Sequence, residues 1–365
     1  MCSSDLHLYS HVDYGLQGEG DAQTLLLFGI VAAFILLIAV VNYTNLATAR
    51  ANRMHIDWSS YAPPQPARPG LTVFEDYPLE ELLDYIDWGP FFNAWELSGP
   101  YPDILEDPHK GETARSLFAD AQFMLRQIVE ERWLRARATV GLFPAAAVED
   151  DVVLFRDQAR KDVLSRFHFL RQQKPKADGQ PHLCLADFVA PMETALPDHL
   201  GLFAVTAGLG IDLKVAEFEA RHDDYSAILL KALADRLAEA LAERMHEHTR
   251  RELWAYAGDE ALDNAELIAE RYRGIRPAPG YPACPDHSEK RALFDLLDAE
   301  THSCMELTSG FAMLPTASVS GFYFAHPQSQ YFVLGNILDD QLEDYAERTG
   351  AGIDSARRNL VANIA

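Results

Sequence analysis

Residues 25–41 read LLLFGIVAAFILLIAVV, an apolar run without one charge in a chain that is otherwise strongly acidic. A run of this length lies at the short end of what spans a hydrocarbon core of about 30 Å, and it predicts a transmembrane helix. It begins too far from Met1, and lacks the basic flank, expected of a cleaved signal. Arg50 and Arg53 follow it and would keep the C-terminal side in the cytoplasm. The expectation is a cytoplasmic chain with residues 25–41 as an inner-membrane anchor.

Beyond residue 54 the composition is that of a water-soluble protein. With 31 basic against 55 acidic side chains the net charge is -24, which argues against a phosphate-backbone partner and so against nucleic acid. Four cysteines, Cys2, Cys184, Cys284 and Cys304, show no paired spacing in a chain too long to need staples, so a reducing compartment fits.

Local pattern supplies the elements. SSYAPPQPARPG at 59–70 is a proline-rich linker. LEELLDYI starts a short helix that stops near Asp87, before Pro90. Leu117, Ala121, Met124 and Ile128 form the apolar stripe of a half-buried helix. ATVGLFPA, DVVLF, HLCLADFVA and GLFAVTAG read as strands bounded by Pro, Gly or Asp. The longest helical signal, DYSAILLKALADRLAEALAERMHEHTRRELW, sets Ile228, Leu233, Leu237, Leu241 and Met245 on one face. SEKRALFDLLDAE then reads as helix, ASVSGFYFAHP and YFVLGNI as strands, and DDQLEDYAERTG as a helix ending at Gly350. Helices and strands mix without βαβ alternation, which predicts an α+β fold.

Chemical motifs are few. Cys284, Asp286 and His287 lie close together, but one Cys and one His without a second pair do not make a structural zinc set. His246 and His248, two apart on a helix, point about 200° apart and read as surface histidines. No nucleophile elbow, Walker loop or dinucleotide fingerprint is present. What stands out is RGIRPAPGYPACPDHSEK at 273–290, where Pro277, Pro279 and Pro282 each fix φ and delete an N–H, while Gly280 can adopt a conformation closed to other residues. On its own this is a rigid turn or a binding loop. Arg276 can hold a carboxylate bidentately and Tyr281 can face an apolar or cationic group, which favours the loop.

Two resemblances divide the chain. From LHLYSHVDYGLQGEGDAQ through NYTNLATAR, the first 54 residues resemble the membrane region of ABC-exporter permeases of the FtsX type, which carry several spans where this segment has one. From about Ile56 onward, ELIAERYRGIRPAPGYPACPDHSEK, DYIDWGPFF and LPTASVSGFYFAHPQSQYF closely resemble the C-terminal S-adenosylmethionine-binding activation domain of cobalamin-dependent methionine synthase. The organisation expected is a permease-like segment over 1–54, a proline-rich segment over 55–70 and an activation domain over 71–365. The junction reads as a fusion of unrelated frames or a fragment, the alternative being a membrane-tethered or permease-derived fusion with the activation domain as passenger.

The second resemblance implies a single C-shaped α+β unit with a central antiparallel sheet flanked by helices, here preceded by one apolar helix. It implies binding of S-adenosylmethionine, whose methyl group goes to oxidised cobalamin on a neighbouring module, with flavodoxin or an equivalent reductase as electron partner. No general base is needed, so no catalytic side chain is expected, and no metal ligand. Matched position by position, Asp87 takes the ligand's amino end and Arg276 its carboxylate. Ala278, Gly280 and Tyr281 form the binding loop, and Tyr331 and Phe332 supply a paired aromatic contact in which the second ring hydroxyl is missing. Glu239 and Glu270 are acidic positions suited to a sulfonium cation. The homocysteine, folate and cobalamin modules of methionine synthase have no counterpart here, and neither does the D-x-H-x-x-G cobalamin signature, so methionine synthesis by this chain alone is not expected.

Overall fold

The computed structural model describes residues 22–174, 176–177 and 179–364. Its centre is an antiparallel sheet built on two long strands, β2 (Arg135–Val148) and β5 (Asp198–Leu209), paired from Arg135 opposite Leu209 to Ala145 opposite Asp198. β1 (Gly70–Tyr77) and β3 (Asp151–Phe155) share the other edge of β2, β1 along its first half and β3 at its far end. β4 (Val163–His168) extends the sheet beyond β3. Two-residue strands β6 (Glu306–Leu307) and β7 (Met313–Leu314) form a separate ribbon, and β8 (Ser318–Tyr323) closes the free side of β5.

Both faces of the sheet are covered, which is why its central strands read as unbroken apolar runs rather than alternating ones. On β5, Phe203, Val205 and Ala207 enter one core while Leu200, Leu202 and Ala204 enter the other. The first core receives α2 (Trp88–Ala94), α3 (Gly111–Glu130) and the long α5 (Asp224–His248), which follows the short α4 (Ile211–Ala220). The second core is closed by α7 (Glu289–Leu297), which comes after the one-turn α6 (Asn264–Ile268) and leads into α8 (Ala299–His302). α9 (Asp339–Thr349) and α10 (Ile353–Asn359) form a small third cluster with Leu170. The architecture is the expected α+β, an antiparallel sheet between helices.

Several local expectations are corrected. HLCLADFVA forms no strand: Leu185–Phe188 is a 3-10 turn, because the Asp187 carboxylate is drawn to Arg171 and back to the Cys184 N–H. YFVLGNI is also not a strand, and runs irregularly beside the 276–282 loop. Edge strands β1 and β4 carry weaker apolar patterns and escape a reading by pattern. A second helix, α2, begins beyond Asp87, since Pro90 falls in its first turn where a missing N–H costs nothing. Ile228 lies off the apolar face of α5 and is 55% exposed, and the buried stripe runs instead through Ala227, Leu230, Leu233 and Leu237. His246 is no surface histidine but fully buried, stacked on Tyr323 at 5.0 Å between ring centroids.

The apolar run falls in α1 (Ala22–Ala51), in which residues 26–37 are exposed. Among the described residues no helix is long and apolar enough to cross a membrane. The C-terminal end of α1 packs on the domain: Leu46 and Ala49 are buried, and Arg50 reaches Asp150 at 2.8 Å and Asp344 at 2.9 Å.

One buried carboxylate gives the fold a pH dependence. Glu289, on α7, is 6% exposed and among the described residues accepts only from the His168 N–H at 3.3 Å and the Tyr345 hydroxyl at 3.5 Å. Burial, and then the nearby Asp286 charge, push its pKa up to about 8. In the unfolded chain a glutamate ionises near 4.3, so between these values the folded state holds the extra proton. That contribution to stability is complete below the unfolded value and is lost as pH rises towards 8. Urea unfolding at pH 5, 7 and 8.5 is expected to show stability falling in the parent and a flatter profile in Glu289→Gln, and parallel profiles would refute the assignment.

Candidate functional site

The proline-rich loop is attached to the free edge of the sheet by its backbone. Ile275 and Phe324 exchange both main-chain hydrogen bonds, at 3.0 and 3.1 Å, and the Phe322 N–H donates to the Pro277 carbonyl at 2.8 Å. That approach requires Gly321, because a Cβ there would lie 2.5 Å from the Pro277 oxygen. Pro277 and Pro279 donate no N–H, so the ladder stops and the chain turns away from the sheet. Gly280 closes the turn with φ +95°, its N–H donating to the Cys284 carbonyl at 2.7 Å, and a side chain there would overlap the His287 ring. Cys284 is buried and His287 contacts Lys290, so both belong to the turn's packing, and no group of three metal-ligating side chains occurs among the described residues.

Strand-like alternation decides where Arg276 goes. Ile275 enters the second core, so Arg276 turns to the opposite side, towards α5, where its Nη2 donates to Glu243 Oε2 at 2.5 Å. Its backbone N–H donates to the Tyr331 hydroxyl at 3.0 Å, and that hydroxyl lies 3.1 Å from the hydroxyl of Tyr272. Burial opposes the charge on Arg276, but Glu243, Tyr272 and Tyr331 outweigh it and hold the guanidinium firmly protonated.

Arg276, Glu239 and Glu270 stand at the shared wall of two adjoining hollows, of about 380 and 420 Å³. One is polar and runs past Tyr85, Asp87, Arg236 and Asn264; the other is largely apolar, walled by Ala278, Tyr281, Val319, Tyr331 and Phe332. Each is of a size to hold part of a small ligand. Asp87 caps α2, its Oδ1 accepting the Gly89 N–H at 2.9 Å. Glu270 sits at φ +55° just after α6, and burial, partly offset by Arg276, raises its pKa. Tyr281 leans over the apolar hollow and is 55% exposed, with its pKa raised by burial and then by Glu239.

Of the nine residues expected to line a site, eight border this cleft: Asp87, Glu239, Glu270, Arg276, Ala278, Tyr281, Tyr331 and Phe332. Gly280 does not line it and instead shapes the loop that does. Sequence reasoning misses Glu243 and Tyr272. Glu243 follows Glu239 by one helical turn and so shares its face, a signal available from the i, i+4 spacing. Tyr272 gives no such signal, as it joins the site only through the Tyr331 hydroxyl.

Comparison with known proteins bears on this arrangement. Residues 78–350 match the family model described as vitamin B12 dependent methionine synthase, activation domain. The chain belongs to this family. The methionine synthase activation domain fold also accounts for the architecture, since a solved structure described as the MetH reactivation domain bound to AdoHcy is similar at a TM-score of 0.85 and 50% identity, covering 87% of this chain and 98% of that one. Neither comparison supports the permease resemblance of residues 1–54. The activation-domain match spans every expected site residue, from Asp87 to Phe332.

Proposed function

We propose that the cleft binds S-adenosylmethionine and presents its methyl group for reductive remethylation of a cobalamin held by another module of methionine synthase. The single observation that carries this is the division of the cleft: two arginines, Arg236 and Arg276, and four carboxylates, Asp87, Glu239, Glu243 and Glu270, at one end, and an apolar wall with aromatic rings at the other. The ligand has the same division, with an α-amino acid at one end and adenosine at the other. Its carboxylate pairs with Arg276, its ammonium with Asp87, and its sulfonium lies within reach of Glu239 and Glu270. Ala278, Val319 and Phe332 take the adenosine, and Tyr281 closes over it. The similar reactivation domain, solved with AdoHcy, supports this reading.

When bound, S-adenosylmethionine supplies a methyl cation equivalent, and a displacement at a sulfonium methyl needs no general base. What the chain contributes is orientation: the loop has few backbone freedoms, so the ligand's sulfur is held against a fixed surface. The acidic end offsets the ligand's positive charge before the transfer. The same role implies a cobalamin-carrying module and an electron donor such as flavodoxin as partners, in the cytoplasm.

Isothermal calorimetry tests this directly. The full chain is expected to bind both S-adenosylmethionine and S-adenosylhomocysteine with one-to-one stoichiometry, and absence of binding to either would refute it.

A further inference from the structure

We infer that Glu243 is the positioning residue that sets Arg276 for a ligand carboxylate, an inference that rests on the S-adenosylmethionine reading above. The main chain of Arg276 is pinned on both sides, by the Ile275–Phe324 pair and by the Tyr331 hydroxyl, so only its side chain is free to turn. Arg276 Nε is buried and has no hydrogen-bond partner among the described residues. The bond from Nη2 to Glu243 Oε2 is therefore what orients the plane of the guanidinium and leaves Nη1, which is not among the buried unpartnered atoms, for the cleft.

Glu243 is itself held. It is 7% exposed and borders the polar hollow beside Arg276, with its Oε2 taken up by the guanidinium. Behind it Arg250, fully buried, lies 3.8 Å from its Oε1. Arg250 is in turn gripped by Glu260 at 2.6–3.0 Å and set over the Tyr272 ring at 4.4 Å. A π-helical turn at Thr249–Leu253 puts Arg250 there, directly after α5. The result is an alternating row, Arg276–Glu243–Arg250–Glu260, hydrogen-bonded at its two ends and joined in the middle by the 3.8 Å Glu243–Arg250 ion pair, whose Oε1 and Nη1 have no hydrogen-bond partner among the described residues. Glu239, one turn earlier on α5, borders both hollows and does not bond Arg276 in this structure.

The test separates reach from charge and carboxylate ligands from others. In Glu243→Asp the carboxylate is kept and drawn back by one methylene. Affinity for S-adenosylhomocysteine is expected to fall about tenfold, because the guanidinium loses its set, while 5′-methylthioadenosine, which has neither carboxylate nor ammonium, binds as before. In the Arg276→Ala background the same change is expected to have no further effect on either ligand. Equal losses for both ligands, no loss for either, or a full additive loss in the double variant would overturn the proposal. If the aspartate variant does not fold, Glu243→Gln, which keeps the length and loses the charge, gives the same comparison with the same ligand losing. A parent protein that binds neither ligand defeats the site reading itself, whereas a parent that binds both and an indifferent Glu243 variant defeats this inference alone.

Discussion

Arg276→Ala is expected to weaken binding of S-adenosylhomocysteine by roughly 30-fold to several thousand-fold, the range for truncating one partner of a buried, hydrogen-bonded charge pair, about 2–5 kcal/mol. Two losses combine. The ligand's carboxylate loses its cationic partner, and it then faces Glu270 and Glu239 across the shared wall of the cleft. Glu243 is also released and keeps only Arg250, at 3.8 Å, as a cation. Arg276→Lys retains the charge without the planar fork, so its loss should be smaller but real. Calorimetry on the three proteins, with thermal unfolding of each as a control, measures this. Unchanged affinity in a folded Arg276→Ala protein would remove the carboxylate assignment.

The largest effect on stability is expected far from the cleft, at Arg171. This side chain is 1% exposed, and its five N–H donors are all used: Nε and Nη2 on Asp150, Nη1 and Nη2 on Asp187, and Nη1 on the His182 carbonyl, at 2.6–2.9 Å. Its backbone is clamped as well, by the Gln341 side-chain amide at 2.7 and 2.8 Å. Alanine here leaves Asp187 buried without a cation and Asp150 with Arg50 alone. Removing one member of such a network costs about 3–5 kcal/mol, against a total of about 5–15 kcal/mol for a typical domain. Urea unfolding at neutral pH should therefore show Arg171→Ala close to the edge of folding. A loss under about 1 kcal/mol would mean that the two aspartates find other partners. The network also bears on α1, because Arg50 docks on Asp150 and Asp344, so shortening the chain to begin after Arg50 would leave Asp150 less compensated.

These two sites differ in how far sequence alone reaches them. The loop around Arg276 is conspicuous because three prolines and a glycine restrict the backbone whatever surrounds them, and a rigid loop beside an arginine already suggests a binding surface. Arg171 stands in RQQK, a stretch with no periodicity, and nothing local marks it as the hub of a buried ion network. The elements divide similarly. α3, α5 and α9 follow from helical periodicity and propensity, and β2, β3 and β5 from apolar runs. β1 and β4 escape that reading because edge strands bury less and carry a weaker pattern. HLCLADFVA has the composition of a strand, and only the pull of Arg171 on Asp187 makes it a turn.

The amino-acid sequence by itself determined the α+β class, the stiffness of the 276–282 loop, and the acid-rich balance, because each depends on local backbone limits or on composition. The family resemblance in the same residues named the positions expected to meet a ligand. Only the tertiary structure decided that Asp87, Glu239, Glu270, Arg276 and Phe332 share one cleft, since they stand on five separate segments brought together by sheet pairing and core packing. It also decided that Glu243 bonds Arg276, that His246 is buried, and that the end of α1 docks on the domain. Those outcomes depend on contacts between residues distant in the chain, which no local pattern encodes.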